Sequence, residues 1–194
     1  MDAAERFYSA LVVSASAKFN ETLLQLLPES RYRPVAVAAD AADARRKIVE
    51  RAWDIVLINT PLPDEFGTRL ALDLCDSGGT GVLLLVRAEQ FPDISARVAP
   101  FGVLTLSKPT SAALVTGSLQ LLCGTRERLR RMEQKTASIE EKMEEIRLVS
   151  RAKWLLIDQL KMTEQEAHRY IEKQAMDRCV TRRVIAESIL STYQ

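Results

Sequence analysis

The stretch Asp54-Ile55-Val56-Leu57-Ile58-Asn59-Thr60-Pro61-Leu62-Pro63-Asp64-Glu65-Phe66-Gly67 decides the fold. Its four consecutive branched apolar residues do not alternate with polar ones. They suit a strand covered on both faces rather than one half open to water. Two prolines and a glycine then break it. Four more runs of this kind occur at 10–13, 35–38, 82–86 and 103–106, with helix-like segments at 19–27, 41–51, 68–75 and 93–99 between them. Five such repeats predict a (βα)5 doubly wound parallel sheet, with its functional crevice at the carboxyl ends of the strands.

Outward from this stretch, the rest of the chain has a different grammar. The protein has 194 residues, seven Gly and seven Pro, and all fourteen breakers fall between Pro28 and Gly124. A second α/β or all-β domain after Gly124 is thereby excluded for want of turns, so the fold class is α/β followed by all-α. Apolar residues at 47% and charged residues at 27% describe an ordinary globular protein. The net charge of +1 conceals an asymmetry. Residues 1–114 hold 12 Lys/Arg against 14 Asp/Glu, whereas residues 115–194 hold 15 against 12. This mild basic bias permits a nucleic-acid partner without demanding one.

Several function classes drop out. The longest apolar runs are too short to span a bilayer, and the opening Met1-Asp2-Ala3-Ala4-Glu5 lacks the regions of a signal peptide. Cys75, Cys123 and Cys179 are odd in number and widely spaced, which argues for a reducing cytoplasm and against a zinc site. His168 is the sole histidine, and no serine or acid is arranged around it as a triad would need. No catalytic residue, metal or cofactor is expected.

After Pro109 the period becomes 4-3. With Leu129 as heptad position a, the seam is Leu122, Thr125, Leu129, Met132, Thr136, Ile139, Met143 and Ile146. In a parallel dimer Arg128 faces Glu133 of the partner helix and Lys135 faces Glu140, both attractive, although Lys142 with Arg147 is not. The charge match favours a parallel homodimer over a helix folded back on its own domain. Residues 146–193 then read as three helices. Thr163-Glu164-Gln165-Glu166 forms a capping box that opens the second, whose apolar side holds Ala167, Ile171, Ala175 and Met176. The third starts near Thr181 and buries Val184, Ile185 and Ile189.

Residues 10–109 resemble the receiver domain of bacterial two-component response regulators. The resemblance rests on the strand at 10–13, on residues 54–67 and on Leu106-Ser107-Lys108-Pro109. It implies a flavodoxin-like fold with a phosphorylation site, yet most of that site's chemistry is missing. The phosphoacceptor position is Asn59, and an amide cannot form an acyl phosphate. The metal-holding acidic pair maps to Ser14 and Ala15, which offer no carboxylate. The Ser/Thr switch position maps to Val86, and only Lys108 with Pro109 remains. The domain therefore reads as a pseudo-receiver in which Lys108 satisfies carbonyls at the sheet edge. Asp64 and Glu65 read as a solvated loop.

Residues 146–190 resemble the ANTAR domain, the RNA-binding output domain of transcription antitermination regulators. The matching features are Ala152-Lys153, Met162-Thr163-Glu164-Gln165-Glu166-Ala167, Tyr170-Ile171, Gln174-Ala175-Met176 and Val184-Ile185-Ala186. Trp154 departs from the pattern, since many members have glycine after the lysine. The resulting domain plan is 1–110 pseudo-receiver, 111–145 coiled-coil dimerisation helix and 146–194 three-helix RNA-binding domain. The resemblance implies a homodimer that binds stem-loops in mRNA leaders, with control by a regulatory protein or ligand. Candidate RNA-binding residues are Lys153, Trp154, Arg169, Tyr170, Lys173, Gln174, Arg178, Arg182 and Arg183. Arg169 and Lys173 share a helix face, and Tyr170 and Trp154 read either as stacking surfaces or as core residues. With Glu164, Glu166 and Glu172 close by, charge alone favours a mixed solvated face, and it is the resemblance that points to RNA.

Overall fold

The computed structural model describes residues 7–76 and 78–193. The chain divides into two compact units, Met1–Arg131 and Met132–Gln194. In the first, β1 (Tyr8–Val13), β2 (Tyr32–Ala38), β3 (Ile55–Asn59), β4 (Gly81–Arg87) and β5 (Leu104–Lys108) form one sheet in the order β2-β1-β3-β4-β5. Every pairing is parallel. The order reverses between β1 and β3, which opens the crevice at their carboxyl ends. Helices α1 (Ala17–Leu24), α2 (Ala41–Glu50), α3 (Thr68–Asp76) and α4 (Phe91–Val98) connect the strands, and α5 (Ala112–Leu160) follows β5.

Strand alternation divides the apolar residues into two cores, because successive side chains point to opposite faces. Leu11, Val13, Val56, Ile58, Val82, Leu84 and Val86 meet α2, α3 and α4 on one face. Ala10, Val12, Ile55, Leu57, Leu83 and Leu85 meet α1 and the start of α5 on the other. The decisive stretch ends at Gly67, whose φ is +101°, and a Cβ there would lie 2.9 Å from Ile58 Cγ2. Only glycine meets both demands. On the opposite face Gly81 lets α5 approach the sheet, since a Cβ at that position would stand 3.3 Å from Leu122 Cβ.

That contact corrects one expectation. Leu122 is 7% exposed and belongs to the sheet core with Val115, Leu119 and Cys123. It is not free to join a seam with another helix, and the seam positions are exposed from Thr125 onward. Asp64 and Glu65 are likewise more than a solvated loop. The Asp64 carboxylate accepts from the amides of Ala41 and Ala42 at 2.9 Å each, capping α2, and those bonds hold its pKa below the ordinary value. Glu65 accepts from Arg45 and from the Leu70 amide.

The second unit packs the end of α5 against α6 (Glu164–Asp177) and α7 (Arg182–Tyr193). Its core is Ala152 and Leu156 from α5, Ala167, Ile171 and Ala175 from α6, and Ile185, Ala186 and Ile189 from α7. The capping box forms as expected, with Thr163 Oγ1 accepting from the Glu166 amide and Glu166 accepting from the Thr163 amide. Without glycine, the turns use Lys161 and Cys179 at φ of 53° and 52°, a left-handed conformation costing about 1 kcal/mol each. Met176 and Val184 are exposed, contrary to expectation. Each sits about 100° around its helix from a buried neighbour, Ala175 or Ile185, which already fills the contact.

Candidate functional site

At the carboxyl end of the sheet the four degenerate positions and Lys108 take up fixed places. Ser14 is 1% exposed, and its Oγ accepts from Asn59 Nδ2 at 3.0 Å and from the Ser16 amide at 3.2 Å. Lys108 Nζ donates to Asn59 Oδ1 at 2.7 Å and to the Thr60 carbonyl. Burial, then the Arg87 charge, depresses the Lys108 pKa. Val86 is fully buried in the core and Ala15 faces solvent. Structure thus brings Ser14, Asn59 and Lys108 into one hydrogen-bonded chain that contains no carboxylate. The Asn59 amide donates to the Ser14 hydroxyl and accepts from the Lys108 ammonium, whereas a carboxylate in its place could only accept. Among the described residues no cluster of three or more His, Cys, Asp or Glu could hold a metal.

In the second unit the nine candidates fall into three groups. Lys153 is paired with Glu164 at 3.0 Å, which lowers the Glu164 pKa, and Arg182 with Glu145 at 3.2 Å. Arg183 is paired with Glu187 at 2.9 Å. These three cations already have partners, so any anion they bind must compete with a carboxylate. Trp154 forms a second group. It is 74% exposed, which decides against a core role, and lines a recess with Arg151, Asp158 and Leu190.

The third group lies on α6. Ala167, Ile171 and Ala175 face the core at four-residue steps. Tyr170, Gln174 and Arg178 run along the ridge beside them and line a cleft against α7. Arg169 and Lys173 form the next ridge outward, four residues apart and both solvent-exposed. Arg169, Lys173 and Arg178 have no ion pair among the described residues. His168 pairs with Glu172 on the far side of the helix. Helical periodicity predicted the Arg169–Lys173 ridge. It did not predict the cleft, which depends on where α7 docks, nor the carboxylates that occupy Lys153 and Arg182 from 11 and 37 residues away.

A receiver-like fold joined to an output module of this kind defines a class. Residues 137–190 match the family model of the ANTAR domain. The chain thus carries an ANTAR domain match over residues 137–190, preceded in sequence by a receiver-like fold. It is homologous to the transcriptional regulatory protein PdtaR of Mycobacterium tuberculosis, in both the CDC 1551 and H37Rv strains. The two are 27% identical over 183 residues, covering 94% of this chain and 89% of the relative. Among solved structures, the signal receiver domain of an HD domain-containing protein from Pseudomonas fluorescens Pf-5 matches with a TM-score of 0.60 at 22% identity. That match covers 68% of this chain and 97% of the other. A CheY-like receiver domain from Methanospirillum hungatei JF-1 matches at 0.57 and 19% identity, covering 63% and 98%. At these identities the structures speak to the fold alone. No helix among the described residues is long and apolar enough to cross a membrane.

Proposed function

We propose that this chain is a cytoplasmic, non-enzymatic RNA-binding regulator that acts as a homodimer, capturing tandem stem-loops in mRNA leaders and so preventing terminator formation. The observation that carries the reading is the α6 surface of the ANTAR domain. Three cations with no ion pair among the described residues stand beside Tyr170 and Gln174 on two adjoining ridges. Unpaired guanidinium and ammonium groups serve phosphates, and an aromatic with an amide serves unstacked bases. A dimer is supported by the seam. Leu129, Met132, Ile139, Met143 and Ile146 are between 40% and 64% exposed, and a row of large apolar side chains along one helix marks an interaction face.

Alanine at Lys153, Arg169, Lys173, Arg182 or Arg183 tests the surface. Each residue that contacts phosphate is expected to lower the slope of log K against log salt by about 0.7 to 0.9 when removed. Arg169 and Lys173 are expected to have the larger effects, because the other three exchange one ionic partner for another. Unchanged affinity in all five variants rejects the surface. The pairing of Lys153, Arg182 and Arg183 with glutamates supports a second reading, an interaction adaptor whose module no longer binds RNA. Binding to a structured leader RNA in the presence of excess bulk RNA separates the two.

Phosphorylation has no place in this mechanism. The hydrogen-bonded chain Ser14–Asn59–Lys108 holds no nucleophilic carboxylate at the acceptor position and no acidic pair for a hard cation. Incubation with a small phosphodonor and Mg²⁺ is expected to leave the intact mass unchanged. A stable phosphoryl adduct on any residue of the crevice contradicts the reading. Control instead falls to a protein or ligand that changes the dimer.

A further inference from the structure

Between α6 and α7 the packing of the second unit leaves a cavity of about 190 Å³. Its floor is apolar, built by Leu156, Ile185 and Ile189, each under a tenth exposed. Tyr170 on α6 and Tyr193 on α7 line it, each roughly two-fifths exposed at 40% and 39%. Gln174 and Arg178 follow Tyr170 along the same ridge, one and two turns on. None of these four side chains has a hydrogen bond or ion pair among the described residues. This contrasts with the glutamate-paired Lys153, Arg182 and Arg183 of the same unit.

The chemistry of the lining narrows the ligand. The cavity is smaller than the roughly 300 Å³ at which pockets for drug-sized molecules begin, so it admits a single ring system. An aromatic face and an apolar floor accept a flat π-system. A glutamine amide supplies one acceptor and two donors to the edge of such a ring. Among the described residues no carboxylate lines the cavity and a guanidinium does, which sets the charge preference for an adjoining anion. A nucleobase with its phosphate has all of these features.

We infer that this cavity receives one unstacked nucleobase from an RNA loop, stacked on Tyr170, read along its edge by Gln174, with the adjoining phosphate held by Arg178. The inference rests on the RNA-binding reading above. To that reading it adds a base-specific site beside ridges that sense only phosphate charge. Sequence discrimination by the module then resides in Tyr170 and Gln174, while affinity common to all RNAs resides in Arg169 and Lys173.

The test uses the full chain and hairpin RNAs captured from a pool with one fixed stem and a randomised loop, with binding followed by fluorescence anisotropy. The captured hairpins are compared with versions whose loop nucleotides are abasic, which keep every phosphate. Loss of the bases is expected to weaken binding by on the order of tenfold or more. Ser188 also lines the cavity from an exposed position on α7. Ser188→Leu fills the space without altering charge or core, so it guards against a variant that merely unfolds. It and Gln174→Leu are expected to match the abasic loss and to leave the salt slope unchanged, while Tyr170→Phe retains most affinity and Tyr170→Leu does not. Equal binding of based and abasic loops, or full affinity in Ser188→Leu, overturns the pocket and leaves the RNA-binding reading standing. Absence of any hairpin binding overturns both. If free nucleoside monophosphates protect the cavity while loop bases have no effect, the site belongs to a free nucleotide and the RNA assignment is overturned.

Discussion

The double variant Ile139→Lys/Met143→Lys is expected to be monomeric and to bind a leader with two stem-loops about 10² to 10⁴ times more weakly than the wild type. Its affinity for a single stem-loop is expected to stay within a few-fold. Both residues occupy seam positions and are about half exposed in the chain, at 49% and 50%. Burying four like charges per dimer in that seam costs more than the apolar contact contributes. Lys135 and Lys142 already stand nearby, which adds repulsion. Lysine is a good helix former, so α5 itself persists and circular dichroism stays unchanged. The magnitude follows from bivalency, because tethering makes the second stem-loop contact intramolecular. Sedimentation equilibrium and binding titrations with one- and two-hairpin RNAs provide the check. A dimer that survives the substitutions, or a monomer with undiminished affinity for paired hairpins, refutes the coiled-coil assignment. In the wild type, Thr125 and Thr136 weaken the seam, so self-association is expected to depend on concentration in the micromolar range or below.

Asp54→Ala is expected to destabilise the first unit by about 3–5 kcal/mol, the cost of leaving buried cations without their anion. Asp54 precedes β3, at the opposite end of the strand from Asn59. Its side chain is only 14% exposed. One oxygen accepts from both the amide and the hydroxyl of Ser9, at 2.9 and 3.0 Å. The other meets Arg130 at 2.6 Å and Arg126 at 3.5 Å, both from α5. Removing the carboxylate takes the shortest ionic contact from Arg130, which keeps Glu127 at 3.9 Å, and leaves the Ser9 donors without their acceptor. Trp53 is buried and its Nε1 donates to the Lys47 carbonyl, so its fluorescence in a Trp154→Phe background reports this unit. Asp54→Asn, which keeps the acceptor for Ser9 but not the charge, is expected to lose less. A midpoint of urea denaturation unchanged by Asp54→Ala contradicts the clamp.

Much of the fold was legible because the deciding signals are local. Five apolar runs with helices between them can be read in windows of a few residues, and the Thr163–Glu166 capping box spans four. The degenerate crevice was legible for a related reason. Asn59, Ser14 and Lys108 each end a strand, so the parallel topology brings them together whatever the side chains do. Trp154 and Tyr170 were ambiguous because an aromatic at helical spacing serves a core or a surface equally well. Leu122 was misread because a leucine every seven residues can face either a neighbouring helix or the sheet beneath. Asp64 and Glu65 lay outside local reach, since the amides that Asp64 caps are 22 and 23 residues away.

By itself, the amino-acid sequence determined the α/β-then-helical plan, the residues at the receiver-site positions, Asn59, Ser14 and Ala15 among them, and the ANTAR pattern of the last segment. All three depend on residue identity at short spacing, where hydrophobic period and side-chain functionality suffice. Only the tertiary structure decided which cations are free. Glutamates distant in the chain fold onto Lys153 and Arg182 but, among the described residues, none pairs with Arg169, Lys173 or Arg178. It alone also decided where α7 leaves a gap against α6. Ion pairing and cavities are properties of packed surfaces, set by distances of a few ångströms between segments that no local pattern relates.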